Sequence, residues 1–430
     1  MTRHPPKLAR REVSIPAAAV RRLGMTTTMT PERIAARPAR ARFVRDGLVL
    51  GLLTVLGPFA IDMYLPSLPA IGRSLGVGPD AVLVSLTAYF ATFALGQLVF
   101  GPISDLVGRK PPLYAGVLLF LFASVGCALA NDLPTLIAFR VLEGIGGAAG
   151  MVIARAVVRD LHSGHDEVRL LSVLMLVFSV SPVLAPMVGS LVIAGTSWQV
   201  IFWLIAVLAV VGLVLAVVLI PETRPRELRS ASIGEVWNAC GRLLRHRTFV
   251  GFTLVGACAT AGFFAFLASS SFVFTGQYGL SPMLYSLAFS VNAGAFFAGM
   301  QLSGRLARRY GLRRIVVVSV AAYALVTVLL LALTAAGIDH LAVVIALLFV
   351  AFTFLGLGGP AASVLALADH GDIAGTASSL MGTIQLVIGA ALMAVTSTFA
   401  NGTILPMTTA VAACALLAFG LTFTLAGKGK

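Results

Sequence analysis

Charged residues are scarce in this sequence. Only 11% of its 430 residues are Asp, Glu, Lys or Arg, whereas soluble globular proteins have about 25%. Hydrophobic residues make up 58% of the chain, and the mean hydropathy is +0.97. This composition excludes an ordinary soluble globular protein and indicates an integral membrane protein built from α-helices.

Three long segments contain no charged residue at all: 170–221 (52 residues), 248–304 (57 residues) and 373–427 (55 residues). A membrane-spanning helix needs about 20 apolar residues, so each segment predicts a pair of spans. Six shorter apolar runs predict single spans at 47–72, 81–104, 111–131, 133–154, 315–338 and 341–368. The predicted fold is an all-α integral membrane protein with twelve transmembrane helices in two pseudo-symmetric six-helix bundles.

The positive charges predict the orientation of these spans. With a cytoplasmic N-terminus, 29 of the 31 Lys and Arg residues fall on the cytoplasmic side, as expected because cytoplasmic loops retain Lys and Arg. Arg73 lies in an outer loop, and Arg140 lies inside the fourth span. We therefore expect a multi-pass protein of the cytoplasmic (inner) membrane with both termini cytoplasmic. The net charge of +14 is spread over short loops and one tail, so no nucleic-acid partner is expected.

Signatures of several other protein classes are missing from the sequence. The four cysteines have no CxxC spacing, so neither a disulfide framework nor a metal site is predicted. The acids and histidines of the fourth loop are interpreted as a solvated loop and not as a metal cluster; they are Asp160, His162, His165, Asp166 and Glu167. The chain has no Walker A loop, no Ser/His/Asp arrangement within the spans and no soluble domain. An ATP-driven pump is therefore not expected, and an intramembrane enzyme or sensor remains a remote alternative.

The chain divides into four predicted regions. Residues 1–45 form a basic, disordered cytoplasmic tail without the apolar core of a signal peptide, and translation could begin at Met1, Met25 or Met29. The first bundle covers 46–220, a cytoplasmic linker covers 221–248, and the second bundle covers 249–426. The loops at 101–110 and 304–314 align with a shift of 203 residues, which indicates duplicated halves. Secondary transporters place one site near the membrane midplane between such halves.

Several motifs carry a family resemblance. The segment Gly-Pro-Ile-Ser-Asp-Leu-Val-Gly-Arg-Lys at 101–110 resembles the loop 2–3 signature of the major facilitator superfamily. Segments 140–147 and 181–189 resemble its span 4 motif and its antiporter-associated span 5 motif. More narrowly, segments 61–66, 272–282 and 374–378 resemble the Bcr/CflA drug-resistance branch. The resemblance covers about 46–426, with Glu143 where Gln is more usual and Arg308 where the first half has Asp105.

The resemblance implies a proton-coupled exporter of small drug-like molecules, often apolar or cationic antibiotics, that works by alternating access. It implies protons as the coupling ion, no cofactor, and a protein that functions as a monomer with a small-molecule substrate in the lipid bilayer. An exporter of an endogenous metabolite, such as an amino-acid derivative or a siderophore, would use the same machinery. The sequence leaves this alternative open.

Asp62 is the candidate proton-coupling carboxylate, because it is the only acid within the first span. Counting 1.5 Å per residue, Asp62 and Arg140 both lie about 10 to 15 Å below the outer surface and could meet. Burial favours a neutral carboxyl group, whereas a nearby Arg favours the ionised form, so a site that gains and loses Arg140 would bind and release a proton. Glu143, on the same helical face as Arg140, is either a second protonation site or its partner. A static pair, or a kink residue between Pro58 and Pro66, is the alternative for Asp62.

Two further motifs predict moving parts. The loop at 101–110 is interpreted as a conformational latch whose charged groups hold neighbouring helices together, with orientation anchoring as the alternative; its residues are Gly101, Asp105, Gly108, Arg109 and Lys110. Pro182, Pro186 and Gly189 predict a bend in the fifth span, with close helix packing as the alternative.

Polar and aromatic residues within the spans are candidates for the substrate cavity, because an amide or phenol facing lipid is costly. The candidates are Tyr64, Tyr89, Asn292, Gln385 and Phe263, with Gln97, Gln301, Phe264 and Phe266 as weaker members. Helix-to-helix hydrogen bonding is the alternative for the amides. Gly144, Gly146, Gly147 and Gly150 predict close helix packing.

Overall fold

The computed structural model describes residues 31–162, 164–224, 233–370 and 373–426, and nearly all of them are helical. The helices, numbered along the chain, are α1 (Pro31–Asp62), α2 (Leu68–Leu75), α3 (Pro79–Val107), α4 (Lys110–Ala128), α5 (Leu133–Leu161), α6 (His165–Gly195), α7 (Gln199–Leu219), α8 (Ile233–Arg245), α9 (Arg247–Gly276), α10 (Pro282–Tyr310), α11 (Leu312–Ala335), α12 (Leu341–Leu367), α13 (Ala374–Ser397) and α14 (Ile404–Ala426). Within the described residues, twelve helical segments are long and apolar enough to cross a membrane. The first is α1 with α2, the second to sixth are α3 to α7, and the seventh to twelfth are α9 to α14. The predicted twelve-helix fold is confirmed.

Each of the three charge-free segments forms a helical hairpin, as predicted. The breaks fall between α6 and α7, between α9 and α10, and between α13 and α14. At the second break, Gly279 adopts a left-handed φ of 64°, and Pro282 is the first residue of α10. The Ser281 side chain accepts a hydrogen bond from the Leu284 N–H at 3.3 Å. These are ordinary signals for ending one helix and starting the next.

The first span is not one continuous helix. α1 ends at Asp62, a 3-10 turn follows at Leu65–Ser67, and α2 completes the span. Pro66 explains the break, because a proline cannot donate to the carbonyl four residues earlier and its ring clashes with that carbonyl. The carbonyl in question belongs to Asp62, so the sequence itself ends the helix at this acidic residue.

The predicted N-terminal tail, 1–45, overlaps the first helix. Residues 1–30 lie outside the described residues, as do the candidate starts Met1, Met25 and Met29, and the disorder predicted for the tail stays a prediction. Residues 31–45 are the first turns of α1. Their content of Ala and Arg, both strong helix formers, and a proline in the first turn account for this.

The glycines of α5 allow close helix packing, as predicted. A side chain at Gly146 would collide with the backbone of Gly116 in α4, and one at Gly150 would collide with the backbone of Leu53 in α1. A side chain at Gly144 would collide with the backbone of α3. Small residues let these backbones approach, which is how helices associate in lipid.

The loops gather at two ends, which we call the basic face and the opposite face. The basic face holds the ends of α3, α5 and α7, joined by contacts of Arg109 with Asp160 and Glu222. On the opposite face, the Gln277 side chain donates to Asp339 at 2.6 Å and accepts from the Ile404 N–H at 2.7 Å. The contacts therefore join loops of the basic face to one another, and loops of the opposite face to one another.

The two halves meet where α3 packs against α13 and where α6 packs against α10. The first and seventh spans are the most enclosed, with 83% and 78% of their apolar cores buried, as expected if they are equivalent helices of duplicated halves. The linker boundaries at 221 and 248 stay predictions, and residues 225–232 lie outside the described part. α8, a short helix that the sequence did not predict, packs against α9 and α13.

Candidate functional site

Asp62 lies at the end of α1 and is almost fully buried, with 4% of its surface exposed. Its Oδ2 accepts a hydrogen bond from the Ser181 hydroxyl of α6 at 2.9 Å. Among the described residues, no basic side chain forms an ion pair with this carboxyl group. The acid therefore connects the first and fifth spans and has no counter-charge in this conformation.

Arg140 and Glu143 form a fully buried ion pair in α5. The Nη1 of Arg140 donates to the Glu143 Oε2 at 2.8 Å, and neither side chain is exposed. The Ser124 hydroxyl of α4 donates to the other Glu143 oxygen at 2.9 Å. Each ion therefore has a buried counter-charge, and removal of either one would leave the other uncompensated.

The predicted meeting of Asp62 and Arg140 is absent from this conformation. Arg140 reaches α1 through the carbonyl of Ala60, to which its Nη1 donates at 3.1 Å. Its Nε and Nη2 are buried without a hydrogen-bond partner. The guanidinium group therefore contacts α1 two residues before Asp62 and has two nitrogens without a hydrogen-bond partner. It is paired with Glu143, which was the alternative role considered for that residue.

Tyr64 and Tyr89 enclose the guanidinium group of Arg140. Their ring centres lie 4.5 and 4.2 Å from the guanidinium carbon, within range for cation–π attraction. Both tyrosines are fully buried. The hydroxyl of Tyr64 bonds with Ser85 at 2.7 Å, and that of Tyr89 donates to the Gly57 carbonyl at 3.0 Å. Sequence reasoning assigned them to the substrate because it could not foresee a cation between their rings.

α6 supplies one side of an interface between the two halves. Pro182 and Pro186 lie inside this helix. The Ser290 hydroxyl of α10 donates to the carbonyl of Val183 at 2.7 Å, and the Ser286 hydroxyl donates to that of Pro186 at 2.9 Å. The serine hydroxyls therefore tie the proline-containing part of α6 to the second half.

Gly189, the third member of the predicted bend motif, permits a close backbone approach. A Cβ at this position would collide with the carbonyl of Met63, the residue that follows Asp62. The close packing that was the alternative for this motif is present at Gly189, and the bend at Pro182 and Pro186 stays a prediction.

A network of charged groups occupies the basic face, and we call it the loop 2–3 network. Arg109 is buried; its Nε donates to Asp160 at 2.8 Å, and its Nη1 donates to Asp105 at 2.7 Å and to Ser104 at 2.8 Å. The backbone N–H groups of Arg109 and Lys110 donate to the Glu222 carboxylate. Burial on its own lowers the pKa of Arg109, but the hydrogen bonds and charges of Asp160 and Asp105 outweigh it and raise that pKa above its usual value.

The network corrects two expectations. Gly101 lies inside α3 with ordinary contacts, so Gly108 alone makes the turn, with a φ of 101° that favours glycine. Asp160 belongs to the network and is not simply part of a solvated loop.

Glu222 and Arg224 are members of the network that the sequence analysis missed. The Arg224 Nη1 lies 3.2 Å from the Asp105 Oδ1. The sequence did contain a signal for Glu222, because a carboxylate among arginines is expected to form an ion pair with one of them. These partners lie in the first half or at the start of the linker, so the network ties the ends of the second and fourth spans to the segment that follows the sixth.

The remaining cavity candidates lie in the second half. Asn292 is fully buried, and its amide donates to the Ala288 carbonyl of its own helix at 2.9 Å. Gln385 is partly exposed, and its amide lies against Gly256 of α9. Phe263 packs in an aromatic cluster, stacked on Phe296 at 5.3 Å. Phe263 is therefore buried in the core in this conformation, and its role in a substrate cavity stays a prediction.

Comparisons with known proteins agree with this architecture. The family profile of the Major Facilitator Superfamily matches residues 50–394. The MFS-type transporter YdgK of Bacillus subtilis is 34% identical over 390 residues, which cover 89% of this chain and 96% of the relative. A bicyclomycin resistance protein homolog of Haemophilus influenzae is 30% identical over 380 residues, which cover 86% and 93%.

Among solved structures, the D-xylose-proton symporter superposes with a TM-score of 0.69 over 88% of this chain and 97% of that chain, at 17% identity. These relatives and neighbours are transporters. The similarity to a bicyclomycin resistance protein confirms the resemblance to the Bcr/CflA branch. The chain is therefore a multi-pass membrane transporter that belongs to the major facilitator superfamily.

Proposed function

We propose that this protein exports small drug-like molecules across the cytoplasmic membrane in exchange for protons. The central observation is the buried carboxyl group of Asp62, which has one hydroxyl partner and no cation. A buried carboxyl group without a counter-charge costs less when it is neutral. Asp62 is therefore suited to hold a proton in this conformation.

Arg140 supplies the means of releasing that proton. Its Nη1 already bonds to Ala60 in the same turn of α1, and its Nε and Nη2 are free to donate. A small displacement of α5 relative to α1 would bring this charge to Asp62 and stabilise the ionised form. Arg140 would pair with Glu143 while Asp62 is protonated, and with Asp62 when Asp62 is ionised.

The interface of α6 with α10 connects this exchange to the movement of the halves. Ser181, which bonds Asp62, precedes the α6 segment that binds Ser286 and Ser290. When the halves separate at this interface, α6 moves and the partner of Asp62 moves with it. Protonation and opening are thereby coupled through one helix.

A drug is the proposed substrate because a relative of 30% identity is named for bicyclomycin resistance. No cofactor is part of the proposal, and the protein acts as a monomer with both termini in the cytoplasm. Expression in an efflux-deficient bacterium with a panel of antibiotics, including bicyclomycin, should raise resistance to at least one drug. An unchanged panel, together with export of an amino-acid derivative or siderophore, would favour the metabolite alternative.

The Asp62→Asn variant tests the coupling. In inverted membrane vesicles with an imposed proton gradient, it should lose gradient-driven transport of the drug found in the panel, while binding of that drug remains measurable. Ser181→Ala is the matched control, since it removes the hydroxyl partner and keeps the carboxyl group; it should retain gradient-driven transport. Full coupled transport by Asp62→Asn would overturn the proposal.

A further inference from the structure

The loop between α10 and α11 concentrates positive charge on the basic face. Five arginines fall between positions 305 and 314, and all are exposed: Arg305, Arg308, Arg309, Arg313 and Arg314. The first three are spaced at i, i+3 and i+4 in the last turns of α10, so they share one helical face. The turn itself is made by Gly311, with a φ of 86°, in the position that Gly108 holds in the first half.

Four of these arginines differ from their first-half counterpart in having no acidic partner among the described residues. Segment 304–314 contains no Asp or Glu, and Arg308 replaces Asp105. Among the residues that the structure describes, Arg305, Arg308, Arg309 and Arg314 form no ion pair with an acid. Arg109, by contrast, bonds to both Asp105 and Asp160.

An apolar surface adjoins the charged face. Leu302 is 43% exposed and Val318 is 50% exposed. Leu302 precedes Arg305 by three residues in α10, and Val318 follows Arg314 by four residues in α11. Tyr310, 46% exposed, lies beneath Arg309, whose guanidinium carbon is 5.3 Å from its ring centre. Tyrosine in this position is typical of the boundary between lipid and water.

We propose that this arginine face binds the phosphate headgroup of an anionic phospholipid, with the acyl chains against Leu302 and Val318. Guanidinium groups bind phosphate oxygens through paired, charge-assisted hydrogen bonds. Clusters of basic residues beside a membrane span are suited to such headgroups. The lipid would supply in the second half the negative charge that Asp105 and Asp160 supply in the first.

Native mass spectrometry of the full-length protein in detergent tests the site. Phosphatidylglycerol should bind more tightly than phosphatidylethanolamine. A triple variant, Arg305→Gln, Arg308→Gln and Arg309→Gln, should bind phosphatidylglycerol about tenfold to a hundredfold more weakly, because each basic group near an anionic headgroup adds to the attraction. The matched control replaces three exposed arginines elsewhere on the basic face, Arg242→Gln, Arg245→Gln and Arg247→Gln, and should keep wild-type binding.

Two further arms complete the test. Arg308→Asp restores the first-half acid and should also weaken phosphatidylglycerol binding, with elution on size exclusion confirming that the variant is folded. Soluble glycerol phosphate, added in excess, should leave the lipid bound, because it lacks acyl chains. Equal phosphatidylglycerol binding by the triple variant and the wild type would overturn the proposal, and so would displacement of the lipid by glycerol phosphate.

Discussion

The two halves of this transporter differ in where they place charge, although they share a topology. Within the spans predicted from the sequence, the charged side chains are Asp62, Arg140 and Glu143, and all three lie in the first half. On the basic face, the first half neutralises Arg109 with two acids, whereas the corresponding loop of the second half has five arginines and no acid. Duplication therefore preserved the helices and turns, while the ionisable chemistry became concentrated on one side.

The second half offers an aromatic core in place of ions. Phe266 stacks on Phe289 at 5.7 Å and contacts Phe352 at 5.0 Å, which joins α9, α10 and α12. Such a core needs no counter-charges. Under the proposed function, the first half would bind and release the protons, and the second half would be its apolar partner.

The largest expected effect lies in the buried ion pair of the first half. Arg140→Leu should destabilise the protein by about 3 to 5 kcal/mol, because it leaves the buried Glu143 carboxylate without its partner. Thermal unfolding in detergent measures the change. The double variant with Arg140→Leu and Glu143→Leu should recover part of the loss.

A second-half comparison sharpens that result. Gln385→Leu removes a neutral polar group from a span and should cost less than about 1.5 kcal/mol. If Arg140→Leu lowered the stability no more than Gln385→Leu, the buried ion pair would not distinguish the first half from the second.

The next effect compares two arginines on the basic face. Arg109→Ala should cost about 2 to 3 kcal/mol, since it removes charge-assisted hydrogen bonds from partly buried acids. Arg309→Ala, in lipid-free detergent, should change stability by less than about 0.5 kcal/mol, as is usual for exposed positions. Equal losses in the two unfolding curves would mean that the loop 2–3 network contributes no more than a solvated loop.

The smallest effect concerns two glycines of the α6–α10 pair. Gly189→Ala should destabilise by about 1 to 3 kcal/mol, because the new methyl group would collide with the carbonyl of Met63 and force α6 outward. Gly294→Ala has open space around it and should stabilise α10 by up to about 1 kcal/mol. Thermal unfolding of both variants would contradict the packing described here if their shifts had the same sign.

Much of the fold follows from the sequence for a simple reason. Bilayer thickness fixes the length of a span, so charge-free segments of 52 to 57 residues can only be helical hairpins. The turn at Gly108 could be predicted equally well from the sequence, because Gly311 occupies the same position when the two halves are aligned. The end of α1 at Asp62 could also have been foreseen from Pro66.

The partners within the site could not be read in the same way. Counting residues along each span placed Asp62 and Arg140 at the same depth in the membrane. The count carried no information on how each helix is rotated about its axis. That rotation decides whether Arg140 faces Asp62 or the rings of Tyr64 and Tyr89. Ser181 and Glu222 were missed for a related reason, since each becomes meaningful only when a distant helix lies beside it.

Proton release on drug binding is the most direct test of the central claim, which assigns coupling to Asp62. Purified protein in weakly buffered detergent would be mixed with the drug identified in the resistance panel while a pH-sensitive dye is followed. Wild-type protein should release protons on binding, and Asp62→Asn should bind the drug and release none. Undiminished release by Asp62→Asn would contradict the account and place the exchanged proton on another group.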